Sequence, residues 1–195
     1  MVVHQRKELI ELFGFETRNK YEIQDSDGNL VFYCAEMQKG FLGFLFRQAL
    51  GHWRSFELHF FDSQKQMIWR AIHPFRFFFQ RLDVFSRNGA VGSVEWNWAL
   101  FRKRYSIIDL KVGHVLKIDS GFLSFWTFPI TIRGQEVASI QKKWSGILKE
   151  AFTDTDNFLI EFSPSLGESE RQLILSAAIL IDLNHFEQKA RNKTF

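Results

Sequence analysis

One stretch near the carboxy terminus restricts the fold more than any other part of the sequence. From Leu173 to Ile181 the chain is apolar on every side of a helix, with the small residues Ser176, Ala177 and Ala178 in the middle. A helix without a polar face is buried either in a protein core or in lipid. The rest of the chain, or a membrane, therefore has to surround this helix.

The length of the apolar stretch decides between those surroundings. Arg171 and Asp182 bracket ten residues, which span about 15 Å in a helix. The hydrocarbon core of a bilayer is about 30 Å thick, and an aspartate near its centre costs on the order of 3 kcal/mol. The stretch therefore predicts a core helix, placed at residues 164–187, with Ser165 and Glu168 as its capping box.

The chain before this helix alternates short strand-like runs with turn clusters. LVFYCAE is rich in β-branched and aromatic residues, and apolar and polar residues alternate within SFELHFF; both patterns are typical of strands. Asp-Gly and Asn-Gly steps in the turns supply the positive φ that tight hairpins need. The repetition predicts about a dozen antiparallel strands in a sandwich or barrel. The turn clusters lie at residues 25–29, 62–65, 87–89, 109–113 and 133–135.

Together the two patterns predict a mainly β protein with one helix. A barrel of about twelve strands is wide enough to need a filling, which the apolar helix supplies. The 23 phenylalanines, against 3 prolines, also favour sheet. We therefore expect a single domain, a closed antiparallel barrel around a buried carboxy-terminal helix. Its expected parts are a helical extension at 1–19, strands at 20–163, the central helix at 164–187 and a basic tail at 188–195.

Three segments carry a family resemblance: GFETRNKYEI at 14–23, KKWSGILKEAFTDTDNF at 142–158 and AILIDLNHFE at 178–187. They resemble the phospholipid scramblase family, whose domain is similar to the tubby carboxy-terminal domain. The fold of that family is a twelve-stranded barrel threaded by a hydrophobic helix. The resemblance implies movement of phospholipids between leaflets in either direction, activation by calcium, and residence at the cytoplasmic face of a membrane.

The segment that begins at Asp154 corresponds to the calcium loop described in that family. An EF-hand loop has oxygen ligands at positions 1, 3, 5 and 12 and glycine at position 6. Asp154 and Asp156 occupy positions 1 and 3. Phe158, Leu159 and Ser165 occupy positions 5, 6 and 12, so the third ligand, the glycine and the final acid are missing.

Three interpretations of this segment stay open. The favoured one is a turn followed by a strand, because apolar residues alternate from Phe158 to Phe162. A weak, open calcium site would use Asp154, Asp156 and Asn157. A complete helix–loop–helix site is the third interpretation. Calcium is the one cofactor that the sequence suggests.

A phenylalanine-rich segment, HPFRFFFQRLDVF at 73–85, lies where many relatives in that family carry a palmitoylated cysteine cluster. The segment contains no cysteine, so palmitate cannot be attached there. Its rings and arginines are candidates for a wedge that enters the membrane surface. The alternative is that the rings form part of the barrel wall, although three consecutive side chains cannot all face inward on a strand. The candidate residues are Phe77, Phe78, Phe79, Arg76 and Arg81.

Further cations form two clusters that are candidates for contact with lipid headgroups. Each cation near an anionic leaflet adds about 1 kcal/mol of binding, and the resemblance to tubby-type domains implies phosphoinositide binding through basic groups. The alternative is ordinary solvated charge on hairpins. The net charge of +3 suits an anionic membrane or nucleic acid and selects neither. The clustered cations are Arg102, Lys103, Arg104, Lys142 and Lys143.

No motif favours enzymatic chemistry, since the sequence has no nucleophile elbow, P-loop or HExxH pair. Three functions stay open: a scramblase, a tubby-like module that binds phospholipids or phosphoinositides without transport, and a nucleic-acid-linked regulator, the least favoured. The expected partners are phospholipids, mainly anionic, and a second copy of the chain. The single cysteine, Cys34, excludes a disulfide framework. The sequence shows no signal-peptide pattern, and the family resemblance implies a peripheral protein at the cytoplasmic face of a membrane.

Overall fold

The computed structural model describes residues 1–6, 19–37, 55–75, 80–97, 103–121, 126–143 and 157–185. These residues form twelve strands and one helix. The strands are β1 (Val2–Arg6), β2 (Lys20–Gln24), β3 (Leu30–Met37), β4 (Phe56–Asp62), β5 (Met67–His73), β6 (Arg81–Ser86), β7 (Gly89–Asn97), β8 (Lys103–Asp109), β9 (Val115–Ser120), β10 (Thr127–Ile132), β11 (Gln135–Lys143) and β12 (Asn157–Phe162). The helix, α1, is Glu168–His185.

The strands form one closed barrel. Each strand pairs antiparallel with its neighbours in sequence, and β1 also pairs with β12, with Val3 opposite Phe158. Alternate side chains point inward, as on β8, where Tyr105 and Ile107 are buried and Ser106 is half-buried. The predicted architecture, a closed antiparallel barrel with one carboxy-terminal helix, is confirmed.

Helix α1 is buried along most of its length. Every side chain from Leu173 to Leu183 is at most 5 % exposed, and α1 contacts β6, β7 and β8. On β5, the strand next to β6, Trp69 Nε1 donates a 3.3 Å hydrogen bond to Ser176 Oγ of α1. Strands therefore take the place of solvent around the helix, which explains why its sequence has no polar face.

The close approach of α1 to β7 depends on Gly92. A β-carbon at this position would overlap the backbone oxygen of Ile108 on β8 and lie 3.1 Å from Leu173 Cδ1 on α1. A larger residue would therefore push the helix away from the sheet or separate β7 from β8.

Helix α1 begins two residues later than the predicted capping box places it. The backbone N–H of Gly167 donates to Glu170 Oε2 at 2.8 Å, so Gly167 and Glu170 form the cap. Ser165 Oγ instead lies 2.8 Å from Ser163 Oγ. A glutamate follows three residues after Ser165 and another three residues after Gly167. The second, Glu170, is 4 % exposed, and its buried carboxylate forms the cap.

The two ends of the barrel differ. At one end, here called the hairpin end, five short turns join β2–β3, β4–β5, β6–β7, β8–β9 and β10–β11 at the predicted places. Gly28 and Gly134 adopt φ of 83° and 85° there, which only glycine tolerates easily. The strand ends that flank the other six connections, and the last turn of α1, lie at the opposite, distal end. Each of those six connections includes residues outside the described ranges.

The amino terminus differs from the expected helical extension at 1–19. Residues 2–6 form β1, which closes the barrel between β2 and β12, and Val3 on this strand is 1 % exposed. Residues 7–18 and the predicted basic tail at 188–195 lie outside the described residues. A five-residue strand shows too few alternations to be distinguished from a helical turn.

Candidate functional site

The interior of the barrel changes from apolar to polar toward the distal end. Inward positions at mid-height are apolar, as at Leu58, Leu82 and Ile107, each 0 % exposed. On each strand, the next inward-facing position toward the distal end is in most cases polar or aromatic. We call this set the distal ring; it comprises Asn19, Glu36, Phe56, His73, Gln80, Trp96, Lys103, Ser120, Trp126 and Lys142.

The last turns of α1 are bonded to inward-facing tyrosines that lie next to this ring. The Tyr21 hydroxyl on β2 donates a 2.9 Å hydrogen bond to Asp182 Oδ2, and Tyr105 on β8 is hydrogen-bonded to Asn184. Strands β2 and β8 lie half-way round the barrel from each other. Burial raises the pKa of Tyr105 far above its ordinary value, so its hydroxyl keeps its proton. The helix is therefore held from two opposite walls.

One carboxyl group and one imidazole group of the distal ring have well-defined neighbours. Asn19 Nδ2 donates a 2.7 Å hydrogen bond to Glu36 Oε2. The imidazole of His73 stacks on the ring of Phe56, with centroids 4.6 Å apart and planes 6° apart. Both side chains are buried, Glu36 at 2 % and His73 at 0 % exposed, so they belong to the interior rather than to the outer surface.

The ring also contains two inward-facing lysines. Lys142 is 7 % exposed, and its Nζ lies 5.5 Å from the centroid of the buried Phe158 ring. Lys103 Nζ lies 5.2 Å from the centroid of Phe128. Each ammonium group thus sits within cation–π distance of an aromatic ring. Such cations at an interior edge are suited to binding an anionic group that approaches from the distal end.

The neighbouring arginines face the opposite way. Arg104 Nε, next to Lys103 in sequence, lies 3.1 Å from Asp119 Oδ2 on the outer wall. Arg81 bonds Asp83 at 2.6 Å and Glu95 at 2.9 Å. The predicted membrane cations that are described therefore point in two directions. Lys103 and Lys142 face the interior of the barrel, whereas Arg81 and Arg104 form ion pairs on its outer wall. The side chain of Lys143, together with Arg76, Phe77, Phe78, Phe79 and Arg102, lies outside the described residues.

The candidate calcium segment is described only in part. Asp154 and Asp156 lie outside the described residues. Asn157 begins β12, and its Oδ1 lies 2.9 Å from His4 Nδ1 on β1. Phe158 and Ile160 are buried at 1 % and 0 % exposed, so the second half of the segment is the strand that alternation predicts. Within the described ranges no three His, Cys, Asp or Glu side chains are placed to hold a metal ion, and the calcium site stays a prediction.

Cys34 is a structural thiol. It lies on the inner side of β3 and is 1 % exposed, and burial, with a smaller contribution from Glu36, raises its pKa well above the ordinary value. Because the thiolate is the nucleophile, a thiol held neutral in the core is unreactive. Cys34 therefore contributes packing rather than chemistry.

A family model named Scramblase matches residues 1–188 of the chain. The chain belongs to the scramblase family. It is 32% identical to phospholipid scramblase 2 of Homo sapiens over 96% of this chain and 67% of that protein. It is also 32% identical to human phospholipid scramblase 1, over 96% of this chain and 63% of that protein. The chain thus spans about two thirds of the length of these relatives.

More distant relatives extend this family to fungi. The Saccharomyces cerevisiae altered inheritance rate of mitochondria protein 25 is 27% identical over 98% of this chain and 71% of its own length. No solved structure matches the chain. In the part of the chain that the structure describes, no helix is long and apolar enough to cross a membrane. The resemblance carried by the three sequence segments is therefore confirmed by the whole-chain match to the scramblases.

The distal ring is the part of the candidate site that the sequence analysis does not predict. Lys103 and Lys142 were selected as cations, but as members of surface clusters rather than of an interior ring. The signal was present, since Lys103 lies two residues before the buried Tyr105 and Lys142 two residues after the buried Ile140. Side chains two residues apart on a strand share a face.

Proposed function

We propose that this scramblase-family protein binds phospholipids at the cytoplasmic face of a membrane and moves them between leaflets in both directions. Family membership supports phospholipid as the substrate class. The structural observation that carries the proposal is the pair Lys103 and Lys142, which face the barrel interior at the distal end beside the rings of Phe128 and Phe158. An ammonium group binds a lipid phosphate as a charge-assisted hydrogen bond.

The barrier to lipid movement lies in the headgroup. Taking a charged or zwitterionic group out of water costs many kcal/mol unless other polar groups replace its hydration. The distal ring contains two ammonium groups, the carboxyl group of Glu36 and the hydrogen-bonding side chain of Ser120, around one edge. In this proposal the ring replaces part of the water around a headgroup while the acyl chains stay in lipid.

Calcium enters the proposal as a regulator bound by Asp154, Asp156 and Asn157. Two carboxylates and an amide oxygen are ligands that Ca²⁺ prefers. Asn157 Oδ1 lies 2.9 Å from His4 Nδ1, so Asn157 serves as a ligand only if its oxygen is shared or that contact breaks. The site would therefore be weak.

A second candidate is a lipid-binding module without transport. It is favoured by the filling of the barrel, since α1 is bonded to opposite walls by Tyr21 and Tyr105. A rigid, filled barrel can bind a headgroup at its distal edge without carrying it across a bilayer.

A quenching assay distinguishes these functions. Purified protein is reconstituted in vesicles with fluorescent phospholipid, and dithionite is added from outside, in calcium and in EGTA. We expect quenching beyond the outer-leaflet half. Lys103→Gln and Lys142→Gln should reduce the additional quenching, whereas Arg104→Gln, which removes a neighbouring cation on the outer wall, should not. Circular dichroism confirms that each variant is folded, and photobleaching steps count the copies of the chain in each vesicle.

Three outcomes would change the proposal. Quenching that stops at the outer-leaflet half, with protein bound to the vesicles, would establish the binding module. If Lys103→Gln, Lys142→Gln and Arg104→Gln reduce the additional quenching equally, general surface charge acts on the lipid rather than the distal ring. Additional quenching that is the same in EGTA, and is unchanged in Asp154→Ala/Asp156→Ala, would remove calcium from the mechanism.

A further inference from the structure

The hairpin between β8 and β9 exposes an apolar tip at the hairpin end. Leu110, Val112 and Val115 are 63 %, 51 % and 47 % exposed. Within the described ranges five large hydrophobic side chains are exposed, and three of them belong to this hairpin. The other two, Met67 at the start of β5 and Phe75 just after β5, lie away from this hairpin. Single exposed apolar residues are ordinary, but a cluster on one turn indicates a contact surface.

The tip is held rigidly by the rest of the fold. The backbone N–H groups of Lys111 and Val112 donate to Asp109 Oδ1 at 2.7 and 3.1 Å, and that of Gly113 donates to the Asp109 carbonyl. Asp109 Oδ2 accepts a 2.7 Å hydrogen bond from the Ser169 hydroxyl on α1. Asp109 is 1 % exposed, so a buried carboxylate fixes the turn to the central helix. A surface ordered in advance loses little conformational freedom when it docks.

Cations surround the apolar tip. The turns of three adjacent hairpins, at residues 87–88, 110–113 and 133–134, contain basic residues and no Asp or Glu. On the other side of the barrel, the turns at 25–29 and 62–65 carry Asp25, Asp27 and Asp62 with one cation, Lys65. Among the described residues, the exposed carboxylates near the tip are Glu136 on β11 and Glu168 at the start of α1, fewer than the cations there, so the exposed charge is mainly basic around the tip and mainly acidic away from it. The cations near the tip are Arg87, Lys111, Arg133 and, on the exposed face of β9, Lys117.

We propose that the β8–β9 tip docks on an anionic phospholipid bilayer and orients the barrel there. Leu110, Val112 and Val115 enter the boundary between headgroups and acyl chains, and the surrounding cations lie at the level of the phosphates. The choice of a bilayer rests on the proposed function and on this charge pattern. Val115 and Lys117 extend the surface along the outer wall of β9, so the barrel docks lying on this wall. Lys103 at the start of β8 and Ser120 at the end of β9 then lie beside the bilayer at the distal end.

A site-specific fluorophore tests this proposal. Cys34 is the only cysteine of the chain and is 1 % exposed, so a thiol-reactive NBD dye will label Leu110→Cys selectively. Met67→Cys, replacing a side chain that is 39 % exposed at the hairpin end, is the matched control. Phe75→Cys, replacing one that is 44 % exposed, reports on the distal end. Emission is recorded with phosphatidylcholine vesicles that contain or lack phosphatidylserine, and with brominated lipids as quenchers.

We expect the dye at position 110 to shift to the blue and to be quenched by brominated lipid only with phosphatidylserine vesicles, while the dye at position 67 stays unchanged. The unlabelled variant Leu110→Ser/Val112→Ser should float with these vesicles at least about tenfold less than the wild type. A shift at position 75 alone would mean that the distal end docks, which would overturn the proposal. Flotation without a shift at position 110 would also overturn it.

The failure of this proposal differs from the failure of the proposed function. If Leu110→Ser/Val112→Ser floats and scrambles like the wild type, the tip is not the docking surface and the transport proposal stands. If the tip docks but quenching stops at the outer-leaflet half, the docking proposal stands and transport is wrong.

Discussion

The hydroxyl of Tyr21 on β2 donates a hydrogen bond of 2.9 Å to Asp182 Oδ2 on helix α1. Both side chains are 1 % exposed, and the bond connects residues 161 positions apart. Apolar contacts alone hold a helix with little preference for rotation or depth. A directional bond at its last turns, with a second from Tyr105 to Asn184 on the opposite wall, fixes both. The polar residues of α1 therefore specify how the barrel is filled.

Replacing Tyr21 with phenylalanine should destabilise the protein without altering its shape. The variant leaves the buried Asp182 without its hydroxyl donor, and the loss of one partner of a buried hydrogen bond costs about 1–3 kcal/mol of unfolding free energy. Urea denaturation followed by circular dichroism measures this loss. Tyr21→Phe, Asp182→Ala and the two changes combined give the coupling energy of the pair. A coupling near zero would show that the bond does not hold the helix.

Adding a methyl group at Gly92 should prevent normal packing of α1. The new β-carbon would overlap the Ile108 carbonyl oxygen and touch Leu173, and backbone atoms cannot move aside cheaply. We expect Gly92→Ala to lower the unfolding free energy by about 3 kcal/mol or more. Gly121→Ala is the matched control, because nothing lies within 4 Å of a β-carbon there. Equal stability of the two variants in urea denaturation would contradict the close approach.

The carboxylate of Glu170 should stabilise the start of α1. One oxygen accepts the Gly167 N–H at 2.8 Å and the other lies 2.8 Å from His114 Nδ1. Because Glu170 is 4 % exposed, Glu170→Ala leaves these partners without an acceptor and should cost about 1–3 kcal/mol. Hydrogen exchange of the Gly167 amide should become faster.

The neighbouring Glu168 provides the comparison for Glu170. It is exposed, and its Oε1 accepts a 3.0 Å hydrogen bond from Gln172 Nε2. Glu168→Ala should change the unfolding free energy by no more than about 0.5 kcal/mol. If the two variants lose the same stability, the charge at the helix start, rather than the buried cap, is responsible.

Cys34 should make the protein less stable at alkaline pH. Burial raises the pKa of its thiol above the ordinary 9.0, so above that pH the unfolded chain releases a proton that the folded protein keeps. The unfolded state then binds fewer protons, and the unfolding free energy falls as pH rises, by at most about 1.4 kcal/mol per pH unit. The fall begins near the ordinary pKa and ends at the raised one; near neutral pH Cys34 contributes no pH dependence.

The variant Cys34→Ala isolates this effect. Its unfolding free energy should fall less steeply than that of the wild type between about pH 9 and pH 10, since other groups titrate equally in both. Urea denaturation at several pH values gives the two slopes. Parallel curves, or rapid alkylation of Cys34 in the folded protein, would show that the thiol is not shielded.

The alternation of apolar and polar residues along the strands made most of the fold predictable from the sequence. Strands with one apolar and one polar face, such as β4 and β8, appear directly in the residue pattern, and the apolar helix required an enclosure. Strand β1 was missed because it has only five residues. Strand β6 is harder to distinguish in the sequence, because it follows a run of phenylalanines, and the segment at 73–85 was left open between a membrane wedge and the barrel wall. In both cases the pairing partner, rather than the strand's own sequence, determines the structure.

The candidate site was predicted less well, because it depends on strand phase and on distant partners. Lys103 and Arg104 are adjacent and equally charged, yet one faces Phe128 inside the barrel and the other Asp119 outside it. The inward direction of Lys103 could be predicted by counting two residues back from the buried Tyr105. The contact between Arg104 and Asp119 could not, because it requires the register of β8 against β9.

Closure of the barrel by β1 and β12 has a consequence for biosynthesis. On the ribosome, β1 emerges first but finds its second neighbour only when Asn157–Phe162 has been translated, and the core is filled only when α1 follows. Until then the growing sheet has open edges and an uncovered apolar face, which are the features that lead nascent chains to aggregate. We therefore expect the barrel to close only after α1 has been synthesised. A stop codon within α1 should leave an insoluble sheet rather than a smaller barrel.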